Sequence, residues 1–178
     1  AGAMRSILGI DTASPLGSVA LAVDGVAGAG EPLPPGGHSS GLSLAVERLL
    51  AAHGLAIADL DGVAVSEGPG SFTGLRIGLA WAKGIAMGRG VALALVPAHD
   101  AAAHAHRGAG GRIATVPQGE RGRVTAALWA GGRSASLLWG PEVVPEDDVM
   151  ERLRAAAGAE PFRVAAPTEA LAELIEDS

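Results

Sequence analysis

Two short apolar runs rich in β-branched residues open the chain, Ser6 to Thr12 (SILGIDT) and Ser18 to Val23 (SVALAV), separated by the turn-forming Ser14-Pro15-Leu16-Gly17. This pattern predicts a β-hairpin. Asp24-Gly25 is a two-residue turn signal leading into a glycine-rich third strand from Val26, which runs out in the loop Pro32 to Gly37. The period then changes. Leu42, Ala45, Val46, Leu49 and Leu50 recur at i, i+3, i+4, i+7 and i+8, one face of a helix that Ser39 or Ser40 can cap and Gly54 can end. Gly62 to Ser66 reads as a short buried strand. A Gly-Pro-Gly loop then feeds a long apolar helix from about Ser71 to Arg89, followed by a strand Val91 to Val96 and a helix Ala98 to Arg107.

Past the glycine-rich break at Gly108 to Gly111 a similar order returns. Arg112 to Val116, Arg123 to Ala130 and Ser134 to Trp139 read as strands, Glu146 to Ala157 as a helix, Phe162 to Ala165 as a strand and Thr168 to Glu176 as a helix. Two successive βββαβα units, residues 4–107 and a smaller 108–178, predict an α/β fold of two ribonuclease-H-like lobes, the second reduced. That is the order shared by actin, sugar kinases and Hsp70-type ATPases (the ASKHA fold), in which the lobes flank a nucleotide cleft. Such a fold does not by itself specify chemistry.

Composition narrows the chemistry. With 178 residues, 48% of them hydrophobic, the chain can bury a sizeable core. It has no Cys, which excludes disulfides, thiolate metal sites and thiol nucleophiles, and fits a reducing cytosol. The opening AGAMRS has one Arg and no long apolar core behind it, so no secretory leader is expected. Arg76 and Lys83 interrupt the most apolar helix, so no membrane span is expected either. A net charge of −6, 3% aromatic residues and no Tyr argue against tight RNA binding by the chain alone.

The segment Gly68 to Gly90 is the most informative. It places Gly74, Gly78 and Gly84 inside a helical pattern, although each interior Gly costs about 1 kcal/mol relative to Ala. Gly74, Gly78 and Ala82 recur every four residues, forming a small-residue ridge that another backbone can approach closely. Ile77, Trp81 and Ile85 form a second apolar face. A helix apolar nearly all round must be covered on more than one side, and a small chain has little mass for this, so a partner helix is expected. Arg76 and Lys83, seven residues apart, form a basic edge beside the apolar surface, either a solvated face or an interface rim. The loop Gly68-Pro69-Gly70-Ser71 lacks the Gly-Lys-Ser/Thr of a Walker loop, and Thr73 stands where a dinucleotide fingerprint needs its third Gly. A tight turn with Ser71 as helix cap accounts for it.

The run GPGSFTGLRIGLAWAKGIA closely resembles the signature of the TsaB (YeaZ) family, and SILGIDTASPLGSVALAVDG is similar to that family's opening. GGHSSGLSLAVERLLAAHGL also matches in order and spacing, so the resemblance covers about Ser6 to Val96. It implies a non-catalytic subunit, cytoplasmic, that supports a TsaD-like transferase in threonylcarbamoylation of tRNA adenosine beside the anticodon. A TsaE-like ATPase would complete the complex, tRNA would be reached only through it, and the chain alone would form a homodimer. The resemblance places the shared docking surface on the first two helices, at Leu42, Val46 and Leu49 and at Phe72, Gly74, Leu75, Arg76, Ile77, Gly78, Trp81 and Lys83. The chain departs from the family at Gln118 to Thr125, where the usual Asp-Ala-Arg before a Glu-Val-Tyr strand is missing.

Other chemistry finds less support. Asp11, at the end of the first strand, stands where actin-like ATPases orient a metal-nucleotide, with Thr12 and Ser14 following. It makes a small kinase or ATPase the alternative reading, although Asp-Thr at a strand end is also common turn chemistry. No tightly bound cofactor is expected; ATP or ADP at the subunit junction would use Asp11, Thr12 and Ser14. His99 and His104 are five residues apart, about 140° around a helix, which is wrong for joint metal ligation, so His99, His104 and His106 read as partly exposed surface histidines. A metal-dependent protease lacks its His pair. Glu146, Asp147 and Asp148 follow Pro145 at a helix start, where they complement the dipole, and Asp59 and Asp61 bound a turn.

Overall fold

In the computed structural model, residues 5–34, 41–117, 119 and 121–165 are described. The chain divides into two compact units, Ala1–Val96 and Pro97–Ser178.

The first unit holds a five-stranded sheet of β1 (Ser6–Asp11), β2 (Ser18–Val23), β3 (Val26–Pro32), β4 (Gly62–Gly68) and β5 (Ala92–Pro97) in the order β3-β2-β1-β4-β5. β1 pairs antiparallel with β2 and parallel with β4, the pattern expected of a ribonuclease-H-like lobe. Asp24 and Gly25, both at positive φ, close the β2–β3 hairpin, where the right-handed twist of the strands favours such a turn. On β1, alternate residues Ser6, Leu8 and Ile10 are buried. Leu8 and Ile10 join Val19, Leu21, Val63 and Val65 in one core with helix α1 (Leu42–Ala52) and with Ala82 of helix α2 (Phe72–Arg89). Burying each such aliphatic side chain contributes about 1.5–3 kcal/mol.

All five apolar positions expected on α1 are buried. Its N-cap is Gly41, which has no side chain to offer; Ser39 and Ser40 lie outside the described residues. Gly54 ends the helix as expected. At φ +66° its N–H donates to the Ala51 carbonyl and that of Leu55 to Leu50, which satisfies the carbonyls the last turn leaves free.

The second unit begins earlier than the expected residue 108. Helix α3 (Ala98–Ala105) belongs to it, because His99 and Ala103 pack on the second sheet. That sheet comprises β6 (Arg112–Thr115), β7 (Arg123–Ala130), β8 (Ser136–Pro145) and β9 (Phe162–Ala165) in the order β8-β7-β6-β9. Alternation along β7 feeds two cores. Val124, Ala126 and Leu128 meet Val149, Leu153 and Ala157 of helix α4 (Val149–Ala157), while Ala127 and Trp129 meet Ile113 and Ala103. β8 runs through Gly140 and Pro141 to Pro145 instead of stopping at Trp139. It is an edge strand, so its prolines forfeit no ladder partner on the open side. The helix expected from Glu146 opens as a 3-10 turn, Glu146–Asp148, and becomes α-helical at Val149. The helix expected at 168–176 lies outside the described residues. No described helix is long and apolar enough to cross a membrane.

Candidate partner interface

The glycine ridge of α2 sits against this chain's own backbone. Gly74, Gly78, Ala82 and Ala86 are its buried positions. A Cβ at Gly74 would collide with the Thr12 backbone, and one at Gly78 with the Thr12 side chain, leaving Val65 at 3.4 Å. The Thr12 hydroxyl donates to the Gly74 carbonyl at 2.7 Å, fixing the contact. The close-approaching backbone expected from a partner is therefore supplied by the turn after β1. Gly74 and Gly78 drop out of the interface, as do Leu42, Val46 and Leu49, which are 0 to 4% exposed. They fill the core because α1 turns that face onto β1, β2 and β4.

What remains of the expected surface is the opposite side of α2. Ser71 caps the helix, accepting from the Gly74 N–H at 3.2 Å, and Gly90 at φ +66° ends it. Phe72 is 69% exposed, Met87 80% and Leu79 37%. With exposed Arg76 and Lys83, these positions recur at spacings of three, four or seven and so form one stripe along the helix. The Arg76 guanidinium stands 5.6 Å from the Phe72 ring centroid, a cation–π contact that leaves the ring's hydrocarbon surface available. Gly84 lies on the same side with nothing within 4 Å of a Cβ placed there.

Leu75, Ile77 and Trp81 are half-buried, and Ile77 and Trp81 pack against the first core. The Trp81 indole N–H donates to Ser43 Oγ at 3.2 Å, tying α2 to α1. Beside that joint, Leu44 is 48% exposed. It also lines an open groove of about 640 Å³ together with Leu16, Leu33, Glu31 and Arg48. Leu44, Leu79 and Met87 were absent from the expected set. Their spacing from Phe72 and Leu42 could have marked them, since each lies off the face that the buried positions define.

The nucleotide candidates are occupied locally. Asp11 Oδ1 accepts from the N–H groups of Ala13 at 2.9 Å and Ser14 at 3.4 Å, an Asx turn. Thr12 is buried and bonded to Gly74; Ser14 is half-buried. Asp59 and Asp61 act as turn residues, accepting from the N–H groups of Ala56 and Ser6.

His99 is a buried residue, contrary to its expected surface place; His104 and His106 are exposed. The Trp129 indole donates to Thr115 Oγ1 at 2.9 Å, and Thr115 Oγ1 lies 2.7 Å from His99 Nδ1. If the threonine hydroxyl donates to Nδ1, the imidazole proton sits on Nε2, which is buried with no partner among the described residues. Burial pushes the His99 pKa down to about 4, against an opposing pull from Asp100. Among the described residues no three His, Cys, Asp or Glu side chains form a group able to hold a metal ion.

These features coincide with similarity in sequence. The tRNA threonylcarbamoyladenosine biosynthesis protein TsaB of Escherichia coli is 34% identical over 150 residues, 79% of this chain and 64% of that protein. A family model described as TsaD, tRNA N6-adenosine threonylcarbamoyltransferase, matches residues 36–143. The chain belongs to the family that this model describes. The tRNA N6-adenosine threonylcarbamoyltransferase of Paracoccus denitrificans is 47% identical over 68 residues, 38% of this chain and 18% of the enzyme. The chain thus spans 64% of its TsaB relative and far less of the transferase. The structure of YeaZ from Pseudomonas aeruginosa superposes with a TM-score of 0.71 at 22% identity, covering 98% of this chain and 92% of that one, so the two share a fold.

Proposed function

We propose that this chain is a non-catalytic partner subunit of a TsaD-like transferase and supports threonylcarbamoylation of tRNA adenosine beside the anticodon. One observation carries the reading. α2 is half committed to its own core, yet its other side presents Phe72, Leu79 and Met87 to solvent, rimmed by Arg76 and Lys83. Apolar anchors edged by charge make up the usual anatomy of a protein–protein interface. Family membership supplies the partner's chemistry, and the Asx turn at Asp11 supports a structural role for that carboxylate.

In this reading the subunit acts in the cytosol and fixes its partner's geometry, and a TsaE-like ATPase completes the complex. Alone, the same face pairs two copies. Any ATP or ADP at the junction with the partner would meet this chain at the turn Asp11 to Ser14, with the Asp11 carboxylate itself serving the Asx turn. Reconstitution with the TsaD-like subunit of the same organism provides the test. Modification of tRNA should require this chain and should fail when Phe72→Glu and Met87→Glu are combined. Full-rate modification by the partner subunits without this chain would overturn the reading.

A further inference from the structure

One end of the second unit carries a concentration of positive charge that the docking face does not use. Arg107 follows α3, and its Nη1 donates to the His104 carbonyl at 2.7 Å. Arg112 opens β6, with its Nη1 on the Ala157 carbonyl. Between them runs Gly108-Ala109-Gly110-Gly111, with Gly110 and Gly111 at φ +64° and +71°. The β7–β8 turn is bonded to this loop. The Gly131 N–H donates to Gly111 at 2.7 Å and that of Gly132 to Arg107 at 3.0 Å, which sets exposed Arg133 beside the loop. His104 and His106 are exposed on the same approach.

The three arginines are fixed positive charges. The acids that the contacts bring near are Glu160, whose N–H also reaches Ala157, and Asp100, one helical turn back from His104. Glu146, Asp147 and Asp148 lie elsewhere in the unit, by the β6–β7 loop, where the Glu146 N–H donates to Gly122 and Arg121 and Arg123 stand beside them. A chain with a net charge of −6 that gathers arginines around bare peptide is selective about where an anion can approach. Nothing lies within 4 Å of a Cβ placed at Gly108, Gly110 or Gly111, so the surface between the arginines is open. It offers guanidinium forks and uncovered peptide, which suit phosphodiester oxygens.

We infer that Arg107, Arg112 and Arg133 with the Gly108 to Gly111 loop form a contact for the phosphate backbone of the tRNA handled by the complex. The inference rests on the proposed function and locates this chain's own share of RNA binding. Three phosphate contacts are too few for tight binding alone and enough to be felt within an assembly.

The test uses the complex reconstituted from the full chain and its TsaD-like partner, with unmodified tRNA as the probe. Arg133→Glu and the pair Arg107→Ala/Arg133→Ala should each raise the dissociation constant for tRNA at least threefold, and the pair should flatten the dependence of log K on log salt by about 1 to 2. Arg107→Lys/Arg133→Lys should restore most of the affinity, which a purely structural role for Arg107 would not predict. Unchanged affinity and slope in a complex that assembles normally would overturn the inference while leaving the proposed function standing. So would loss of a protein subunit from the assembly at unchanged tRNA affinity, which would mark the patch as a docking site for an acidic protein surface. If the unaltered complex neither assembles nor modifies tRNA, the proposed function is what fails.

Discussion

The hydroxyl of Thr12 donates to the carbonyl of Gly74 at 2.7 Å, joining two residues 62 positions apart in sequence. This bond holds the turn after β1 against the first turn of α2, and only a glycine at 74 permits the approach. Gly74→Ala should therefore destabilise the protein by more than about 2 kcal/mol, although alanine is the better helix former, because its methyl would press on a backbone that cannot yield. Thr12→Val, which removes the bond and keeps the shape, should cost about 1 kcal/mol. Denaturant unfolding of both variants gives the comparison.

Gly84 presents the opposite case on the same helix. A methyl there meets nothing in this chain, so Gly84→Ala should stabilise the isolated protein by about 1 kcal/mol. If a partner's backbone packs close to Gly84, the same variant weakens assembly. A melt of the chain alone set beside a titration with the TsaD-like subunit separates the two effects.

Phe72→Glu and Met87→Glu remove exposed side chains with little role in the fold, so each should leave stability within about 0.5 kcal/mol of wild type. Association with the partner, followed by titration calorimetry, should weaken at least tenfold, about 1.4 kcal/mol. A stable variant that binds as before would remove the α2 stripe from the interface.

His99 links the second unit's stability to pH. Its native pKa of about 4 lies below the unfolded value of 6.5, so above pH 6.5 the ring is neutral in both states and costs nothing. As pH falls below 6.5 the unfolded chain takes up a proton that the native core refuses, and stability declines until about pH 4, where the native ring also protonates. The gap between those values bounds the effect at about 3 kcal/mol. His99→Leu should flatten this part of the stability profile in denaturant titrations from pH 7 to pH 4, whatever it does to stability at pH 7.

Asp11→Ala should cost about 1 kcal/mol through loss of the Asx turn, and the purified chain should release no phosphate from ATP before or after the change. Steady release that vanishes in the variant would revive the ATPase alternative.

Much of this architecture was legible from spacing. The α1 period of Leu42, Ala45, Val46, Leu49 and Leu50 maps directly onto its buried face, and Gly54 ends α1 and Ser71 caps α2 as their backbone and capping chemistry predicts. The Gly74, Gly78, Ala82 ridge correctly signalled a close backbone. Spacing along a helix cannot say which molecule supplies that backbone, and here it is Thr12 and Ala13. His99 was hidden for a related reason. Its burial depends on Thr115 and Trp129, contributed by two strands that only the sheet register brings beneath α3. Phe72, Arg76 and Lys83 of the outer α2 stripe were expected from the resemblance, whereas Leu79 and Met87 escaped because scattered exposed apolar residues are ordinary. Those two gain meaning only once the helix's other side is seen to be full.

Among the described residues, the buried core of the first unit runs from Leu8 to Ala82 and those of the second from Ala103 to Ala157, with no residue common to both. Defects should accordingly be compartmentalised. Substitutions in the second unit's core should therefore leave the α1–α2 pair, and the outward apolar stripe that it carries, intact.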